Sequence, residues 1–256
     1  VIVGLYLFLY HVGVEQVVYD WMREHQFSSW WYNGRRAVIQ TWLFQNVQVA
    51  DQEILDIGSG YGNLIPVLKK HGVVDALEPH AGAHVELKNQ GARLVHAISN
   101  FPTHYPAQKY QVVTLFDVLE HFEDDRLVLD TIYSKLLVAH GKLIITVPAY
   151  QWLWTHFDEV TGHYRRYTLR QLKQCLEQAG FTEIKVSYFM TLLLPFGILD
   201  RLLMKITQKD DTAIKPIHPV LNFIFQNIFM LESKLLRWIK FPFGMSLIAV
   251  ASKPNP

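Results

Sequence analysis

ILDIGSGYGN, residues 54–63, is the stretch whose reading decides the fold. An acid, Asp56, sits inside a short apolar run, and Gly58, Gly60 and Gly62 fill the turn that leads into the next amphipathic stretch. Glycines accept positive φ and leave backbone bare for a ligand, and the start of the following helix offers unpaired N–H donors. Outward from this turn, apolar runs alternate with amphipathic stretches from Glu53 to Val147, as βαβ units do when a parallel sheet is covered on both faces. Strands are expected at 53–57, 73–78, 93–97, 112–116 and 142–147, and helices at 64–71, 83–90 and 126–137. Gly72, Gly91 and Gly141 are expected as left-handed residues at or near helix ends. A helix at 168–179 capped by Thr168, then strands at 183–188 and 246–252, complete the pattern. The predicted fold class is α/β, a Rossmann-like, doubly wound, mostly parallel seven-stranded sheet with a helical apolar insertion before the last strand. Four regions follow: an N-terminal apolar segment with helices at 1–50, the core at 51–188, the insertion at 189–245, and the last strand and tail at 246–256.

Composition narrows the function classes. Lys plus Arg number 24 against 23 Asp plus Glu, so a net charge of +1 supplies no global field and no nucleic-acid partner is expected. A hydrophobic fraction of 50% and an aromatic fraction of 13% exclude a disordered chain and leave apolar surface to meet something other than water. Cys175 is the single cysteine, which rules out an intramolecular disulfide and zinc sites of the paired-cysteine type, and no metal-ligand set is expected. The first ten residues, VIVGLYLFLY, meet His11 and Glu15 too early to make a span of about 20 residues. They are either the end of a trimmed anchor or a buried strand or helix.

The spacing in the turn is G-x-G-x-G, whereas a dinucleotide fold prefers G-x-G-x-x-G, whose third glycine supports close helix packing around a pyrophosphate. A carboxylate at Asp56 repels a pyrophosphate and suits the positive charge of a sulfonium cofactor. Glu78, 22 residues further on, closes the second expected strand, where a carboxylate can accept both hydroxyls of a ribose.

These residues resemble the class I S-adenosylmethionine-dependent methyltransferases, over residues 28–188 and the final strand. LDIGSGYG looks like the family's first motif, LEP around Glu78 like its ribose-binding acid, and FDVLEH at 116–121 like the segment after its fourth strand. The resemblance implies S-adenosyl-L-methionine as cofactor. Asp56, Gly58 and Gly60 would frame its methionine part with Ser59 and Gly62 in the same turn, Glu78 the ribose, Ser99 the adenine edge and Asp117 the amino end. Many members carry an Asp just after the third strand, whereas ISNF at 98–101 offers Ser99 and Asn100. The runs at 27–36 (FSSWWYNGRR) and 147–181 resemble bacterial methyltransferases grouped with cell-surface glycan and lipid biosynthesis, which implies that Arg35 closes over the cofactor carboxylate. Without the resemblance, Arg35 is equally a surface arginine at the start of an amphipathic helix at 35–46.

The acceptor side is expected in the loop 148–167, which leaves the carboxyl end of a parallel strand and exceeds the usual length of a structureless connection. HYRRY at 163–167 joins an imidazole, two guanidiniums and two phenols. Tyr150, Arg165, Arg166 and Tyr167 are the expected acceptor contacts, with Asp158 or Glu159 as the alternative ion-pair partners that would make the arginines structural. His163 is the preferred general base and His121 the second choice. The expected reaction is methyl transfer to a small or lipid-linked acceptor, at oxygen. A nicotinamide-dependent oxidoreductase and a non-catalytic, cofactor-binding membrane scaffold are the alternatives.

In the insertion, residues 186–199 carry no formal charge yet are too short to span about 30 Å of hydrocarbon. Leu193, Leu194 and Phe196 are expected to face lipid. Leu221, Ile224, Phe225, Ile228, Leu231, Leu235 and Trp238 recur at helical spacing near basic residues, the composition of an interfacial anchor. The expected location is therefore cytoplasmic, peripheral at the inner face of a membrane.

Overall fold

The structure is a computed structural model that describes residues 12–47, 51–207 and 217–255. The apolar run at 1–10 lies outside the described residues.

Seven strands form one sheet: β1 (Gln52–Ile57), β2 (Gly72–Leu77), β3 (Val95–His96), β4 (Tyr110–Phe116), β5 (Leu137–Pro148), β6 (Thr182–Phe189) and β7 (Ser246–Ser252). Their order is β3-β2-β1-β4-β5-β7-β6. The first five pair in parallel, and β7 runs antiparallel to both β5 and β6. Leu55, Val113, Leu115, Ile144, Ile145 and Ala249 are all fully buried, so the central strands are covered on both faces and read as continuous apolar runs. The strand order reverses between β1 and β4, which creates a crevice at their carboxyl ends.

The helices are α1 (Val12–His25), α2 (Trp30–Asn46), α3 (Ile65–Leu68), α4 (His84–Gln90), α5 (Asp125–Thr131), α6 (His156–Val160), α7 (Leu169–Gln178), α8 (Leu194–Thr207) and α9 (Pro219–Leu235). Thr168 and Gln171 close a capping box on α7. Of the three glycines expected as left-handed caps, Gly91 at φ +101° is one. Gly72 opens β2, where a Cβ would lie 1.9 Å from the carbonyl oxygen of Gln52, and Gly141 lies inside β5. Both expectations fail because the preceding helices stop early: α3 ends at Leu68, and α5 passes through one π turn, Ile132–Leu136, straight into β5. The third strand is also shorter than expected. It has one neighbour, and Arg93 at its entrance is turned to Asp75 (2.7 Å) and Glu53 (2.6 Å).

The insertion is helical, as the sequence implied, but three of the seven residues of its apolar stripe pack against the core. Phe229 is fully buried against α2, and a Cβ on Gly34 would lie 2.0 Å from its Cδ1, so a side chain at position 34 would push α9 off. Burying a Phe contributes about 1.5–3 kcal/mol. Asn222 and Gln226 accept hydrogen bonds from the Trp30 amide (2.9 Å) and the Asn33 side chain (3.0 Å), which fixes α9 along α2. Phe225, Ile228 and Leu235 pack against the core, while Leu221, Phe223, Ile224, Leu231 and Trp238 are exposed. Leu193 and Leu194 are buried, which corrects the expectation that they meet lipid; Phe196, Leu199 and Leu202 are large apolar residues of α8 that are exposed. No described helix is long and apolar enough to cross a membrane.

Candidate active site

The β1/β4 crevice gathers most of the expected cofactor residues. Asp56, near the end of β1, is buried, and its Oδ1 accepts a hydrogen bond from Thr114 Oγ1 of β4 at 2.6 Å. Burial pushes its carboxyl up to about 6, against the Thr114 and Ser59 hydrogen bonds that lower it. Ser59 closes the turn by donating to the Asp56 carbonyl at 2.8 Å. Gly58, Gly60 and Gly62 all have positive φ, at +70°, +54° and +82°, and a Cβ on Gly58 would lie 2.5 Å from Val118 Cγ2. This turn tolerates glycine and little else.

Glu78 follows β2, buried beside the same turn. Its Oε2 accepts from the Gly60 amide at 2.7 Å, and its Oε1 from the His80 amide at 2.9 Å and the Tyr19 hydroxyl at 3.0 Å. Burial raises this carboxyl as well. Tyr19 stacks on His80 with ring centroids 4.0 Å apart, so α1 lies over the glycine turn. No spacing in the sequence signals that cover. Ser99 sits on a partly exposed bend just after β3, next to β2 at the sheet margin.

Asp117, the first residue after β4, takes φ +57° and donates its amide to the Thr146 carbonyl at 3.0 Å. Arg35 Nε lies 2.6 Å from Asp117 Oδ2, Arg35 Nη2 donates to the Phe116 carbonyl at 2.6 Å, and its guanidinium stands 5.0 Å from the Trp31 ring centroid. The reading of Arg35 as a surface residue is overturned. α2 begins at Trp30, so Arg35 falls in its second turn and faces inward. An acid and a guanidinium side by side complement the ammonium and carboxylate of an amino acid. Buried carboxylates with raised proton affinity and a bare glycine turn also want cationic and hydroxyl groups. This donor set fits S-adenosylmethionine, and a pyrophosphate would meet repulsion from Asp56 and Glu78.

The loop 148–167 is ordered and closes on itself: the Tyr167 amide donates to the Pro148 carbonyl and the Tyr150 amide to the Tyr167 carbonyl, each at 2.9 Å. Asp158 is its hub. Fully buried, it takes Arg166 Nε at 2.8 Å and Nη2 at 2.9 Å, His163 Nδ1 at 2.8 Å and the Thr155 amide at 2.7 Å. Burial works against its charge, but the hydrogen bonds from His163 and Arg166 prevail and hold its carboxyl well below the usual range. Arg165 pairs instead with Asp125 at 3.0 Å, and the buried Tyr167 hydroxyl donates to the same Asp125 at 2.8 Å. Arg165, Arg166 and Tyr167, the expected acceptor contacts, are thus all engaged with acids of the loop and of α5. Each guanidinium already has its own acid: the alternative of an ion pair with Asp158 holds for Arg166, while Arg165 pairs with Asp125 in place of Asp158 or Glu159. Tyr150, also at positive φ, stacks on Tyr188 and Trp152 with centroids 5.1 and 5.7 Å away.

The Tyr164 amide donates to the Glu120 carbonyl at 2.8 Å, which draws the loop onto the segment after β4. His163 and His121 consequently meet edge to face at 4.6 Å. Burial, then the His163 charge, push His121, the second-choice base, down to about 3, so its imidazole stays neutral. Glu120, absent from the sequence reading, lies fully buried beside both imidazoles, and one ligand atom from each residue lies within 4.8 Å of the others. The expectation of no metal-ligand set does not describe this geometry.

Comparison with known proteins agrees with the fold. A family profile described as a methyltransferase domain matches residues 22–186, more than half of the chain. A methyltransferase dependent on S-adenosylmethionine from Thermotoga maritima superposes with a TM-score of 0.56 at 15% identity, covering 93% of this chain and 99% of its own. A plantazolicin methyltransferase solved with a triazolic desmethyl analog and S-adenosylhomocysteine gives 0.59 at 14% identity, covering 98% and 95%. Phosphoethanolamine N-methyltransferase 2 of Haemonchus contortus, solved with S-adenosyl-L-methionine, gives 0.54 at 15%, covering 92% of this chain and 60% of its own. No curated protein matches the sequence. The chain belongs to the methyltransferase domain family, and it is an S-adenosylmethionine-dependent methyltransferase.

Proposed function

We propose that this methyltransferase acts on a hydroxyl of a lipid-linked acceptor that reaches the crevice from a membrane surface. The observation that carries this reading is the seat of α8. Arg201 Nε donates to the Leu153 carbonyl at 3.0 Å, which ties α8 to the acceptor loop, while Phe196, Leu199 and Leu202 on the same helix are exposed. Phe196 also meets Phe225 of α9 with ring centroids 5.5 Å apart, and α9 exposes Leu221, Phe223, Ile224 and Leu231. Contiguous exposed apolar surface beside a site marks a docking face. In this reading residues 51–188 form the catalytic core, 189–245 the docking lid, and the protein sits peripherally at a membrane's inner face.

When bound, S-adenosylmethionine supplies an electrophilic methyl group. Asp56 and Asp117 favour its cationic groups, Glu78 its ribose hydroxyls, and Arg35 its carboxylate. Asp158 accepts the Nδ1 proton of His163 and so sets the tautomer that leaves a lone pair on Nε2, the arrangement that suits taking a proton from a hydroxyl. Tyr150 offers an aromatic wall. Incubating the protein with labelled S-adenosylmethionine and membrane lipid or water-soluble glycan extracts tests the acceptor class. Label in a lipid fraction supports the reading, and label confined to soluble glycans overturns it. Cofactor binding with no transfer to any extract favours a scaffold.

Two expected results follow from the geometry. The carboxylate form of Asp56 is the one that favours a cation, and its carboxyl stands at about 6. Affinity for S-adenosylmethionine is therefore expected to fall as pH drops through that value, by up to about tenfold per pH unit. Titrations from pH 8 down to 5 on the parent and Asp56→Asn check this; an unchanged profile in the variant counts against the role. The same raised proton affinity makes Asp56 a stability contribution that is full below the ordinary carboxylate range and lost as pH rises through about 6. Sedimentation with anionic liposomes examines the docking face, using Phe196→Ser/Leu199→Ser/Leu202→Ser. The parent is expected to pellet at low salt and the triple variant to stay in solution. A variant that pellets like the parent contradicts the docking face.

A further inference from the structure

Glu120 is the least expected group in the molecule. Its side chain is 0% exposed, and neither carboxylate oxygen has a hydrogen-bond partner. The charged groups that act on it are Asp117, Arg35 and Arg166. Both arginines are already committed, Arg35 to Asp117 and Arg166 to Asp158. Burial and the neighbouring Asp117 raise its proton affinity, and beyond its own backbone amide the protein supplies this carboxyl no donor and no free counter-charge.

The surrounding imidazoles have the opposite property, each with a lone pair to give. His163 is held through Nδ1 by Asp158, which leaves Nε2 as an acceptor. His121, kept neutral by burial, carries one nitrogen lone pair, and its ring interacts with the backbone of Thr161 and Gly162. A carboxylate behind a histidine is the usual outer support of a metal ligand, fixing tautomer and orientation. We infer that Glu120, His121 and His163 form a binding site for one divalent first-row transition-metal cation beside the acceptor loop. Two imidazoles and one carboxylate suit Zn2+, Mn2+ or Fe2+, while Mg2+ and Ca2+ prefer oxygen donors. Three protein ligands leave coordination positions open, as at catalytic rather than structural sites. For its role the inference rests on the proposed transfer to a hydroxyl: with a cation bound, His163 Nε2 would serve as a ligand in place of acting as the base, and the open position would take the acceptor oxygen and ease loss of its proton to water.

Equilibrium dialysis of chelator-stripped protein against Zn2+ at neutral pH tests the site, with S-adenosylhomocysteine binding measured on the same samples. The parent is expected to retain one Zn2+ per chain, and Glu120→Gln and His163→Ala to bind at least about tenfold more weakly. His156→Ala, an exposed histidine paired with Glu159 at 3.0 Å, is expected to match the parent. Thermal melts report folding, and His121→Asn serves where Glu120→Gln does not fold. Uptake no greater in the parent than in Glu120→Gln/His163→Ala overturns the site, and so does methyl transfer that proceeds at full rate in chelator. S-adenosylhomocysteine binding without Zn2+ uptake would defeat the metal site alone. Zn2+ uptake without S-adenosylhomocysteine binding would defeat the cofactor reading alone.

Discussion

Asp158→Ala is expected to destabilise the protein by about 3–5 kcal/mol, the usual effect of removing one partner of a buried ion pair. Asp158 and the Arg166 side chain are 0% and 8% exposed, so the alanine variant leaves a guanidinium that water reaches poorly. The same substitution frees His163 and removes the carboxylate that caps α6 through the Thr155 amide. Three attachments of the acceptor loop are lost together. Urea denaturation of parent and variant measures the effect, and a loss below about 1 kcal/mol would mean that the loop is held by its backbone pairing instead. The sign with pH follows from the depressed carboxyl. Its contribution is present above the ordinary carboxylate range near 4 and is lost as pH falls below it toward the folded value.

Glu78→Ala is expected to weaken S-adenosylmethionine binding by about ten- to hundredfold, since a charge-assisted contact is worth about 1.5–3 kcal/mol. The structure adds a reason for the upper part of that range. Glu78 also orders the Gly60 amide and receives the Tyr19 hydroxyl, so its loss loosens both the turn and the helix that covers it. Tyr19→Phe separates the two contributions, because it removes the cover's hydrogen bond and leaves the carboxylate. Calorimetric titration of the folded variants gives the comparison. Parent-like affinity in Glu78→Ala would remove this residue from the cofactor site.

The sheet was legible because its signals are local and repeated. Apolar runs bounded by glycine at regular intervals, and an acid followed by a G-x-G-x-G turn, mark the central strands and their crevice without reference to the rest of the chain. The last strand, read at 246–252, runs from Ser246 to Ser252. What escaped depends on which distant residues meet. The pair of Arg166 with Asp158 was one of the alternatives the loop itself offered, whereas nothing near Arg165 reveals that it pairs with Asp125. His121 and His163 were each visible as imidazoles, but their meeting 4.6 Å apart requires the loop to fold back onto Glu120. The helical stripe of α9 could not announce that Phe229, outside the stripe, fills the space above Gly34. Tyr19 was hidden for the same reason, since helix α1 reaches Glu78 across 59 positions of sequence.

Calorimetric titration of the parent protein with S-adenosylmethionine, alongside NAD+ as the competing cofactor, tests the central claim most directly. The crevice of Asp56, Glu78, Asp117 and Arg35 predicts saturable binding of one S-adenosylmethionine per chain and no heat from NAD+. No binding of S-adenosylmethionine by folded protein, or saturable binding of NAD+ in its place, would contradict the account.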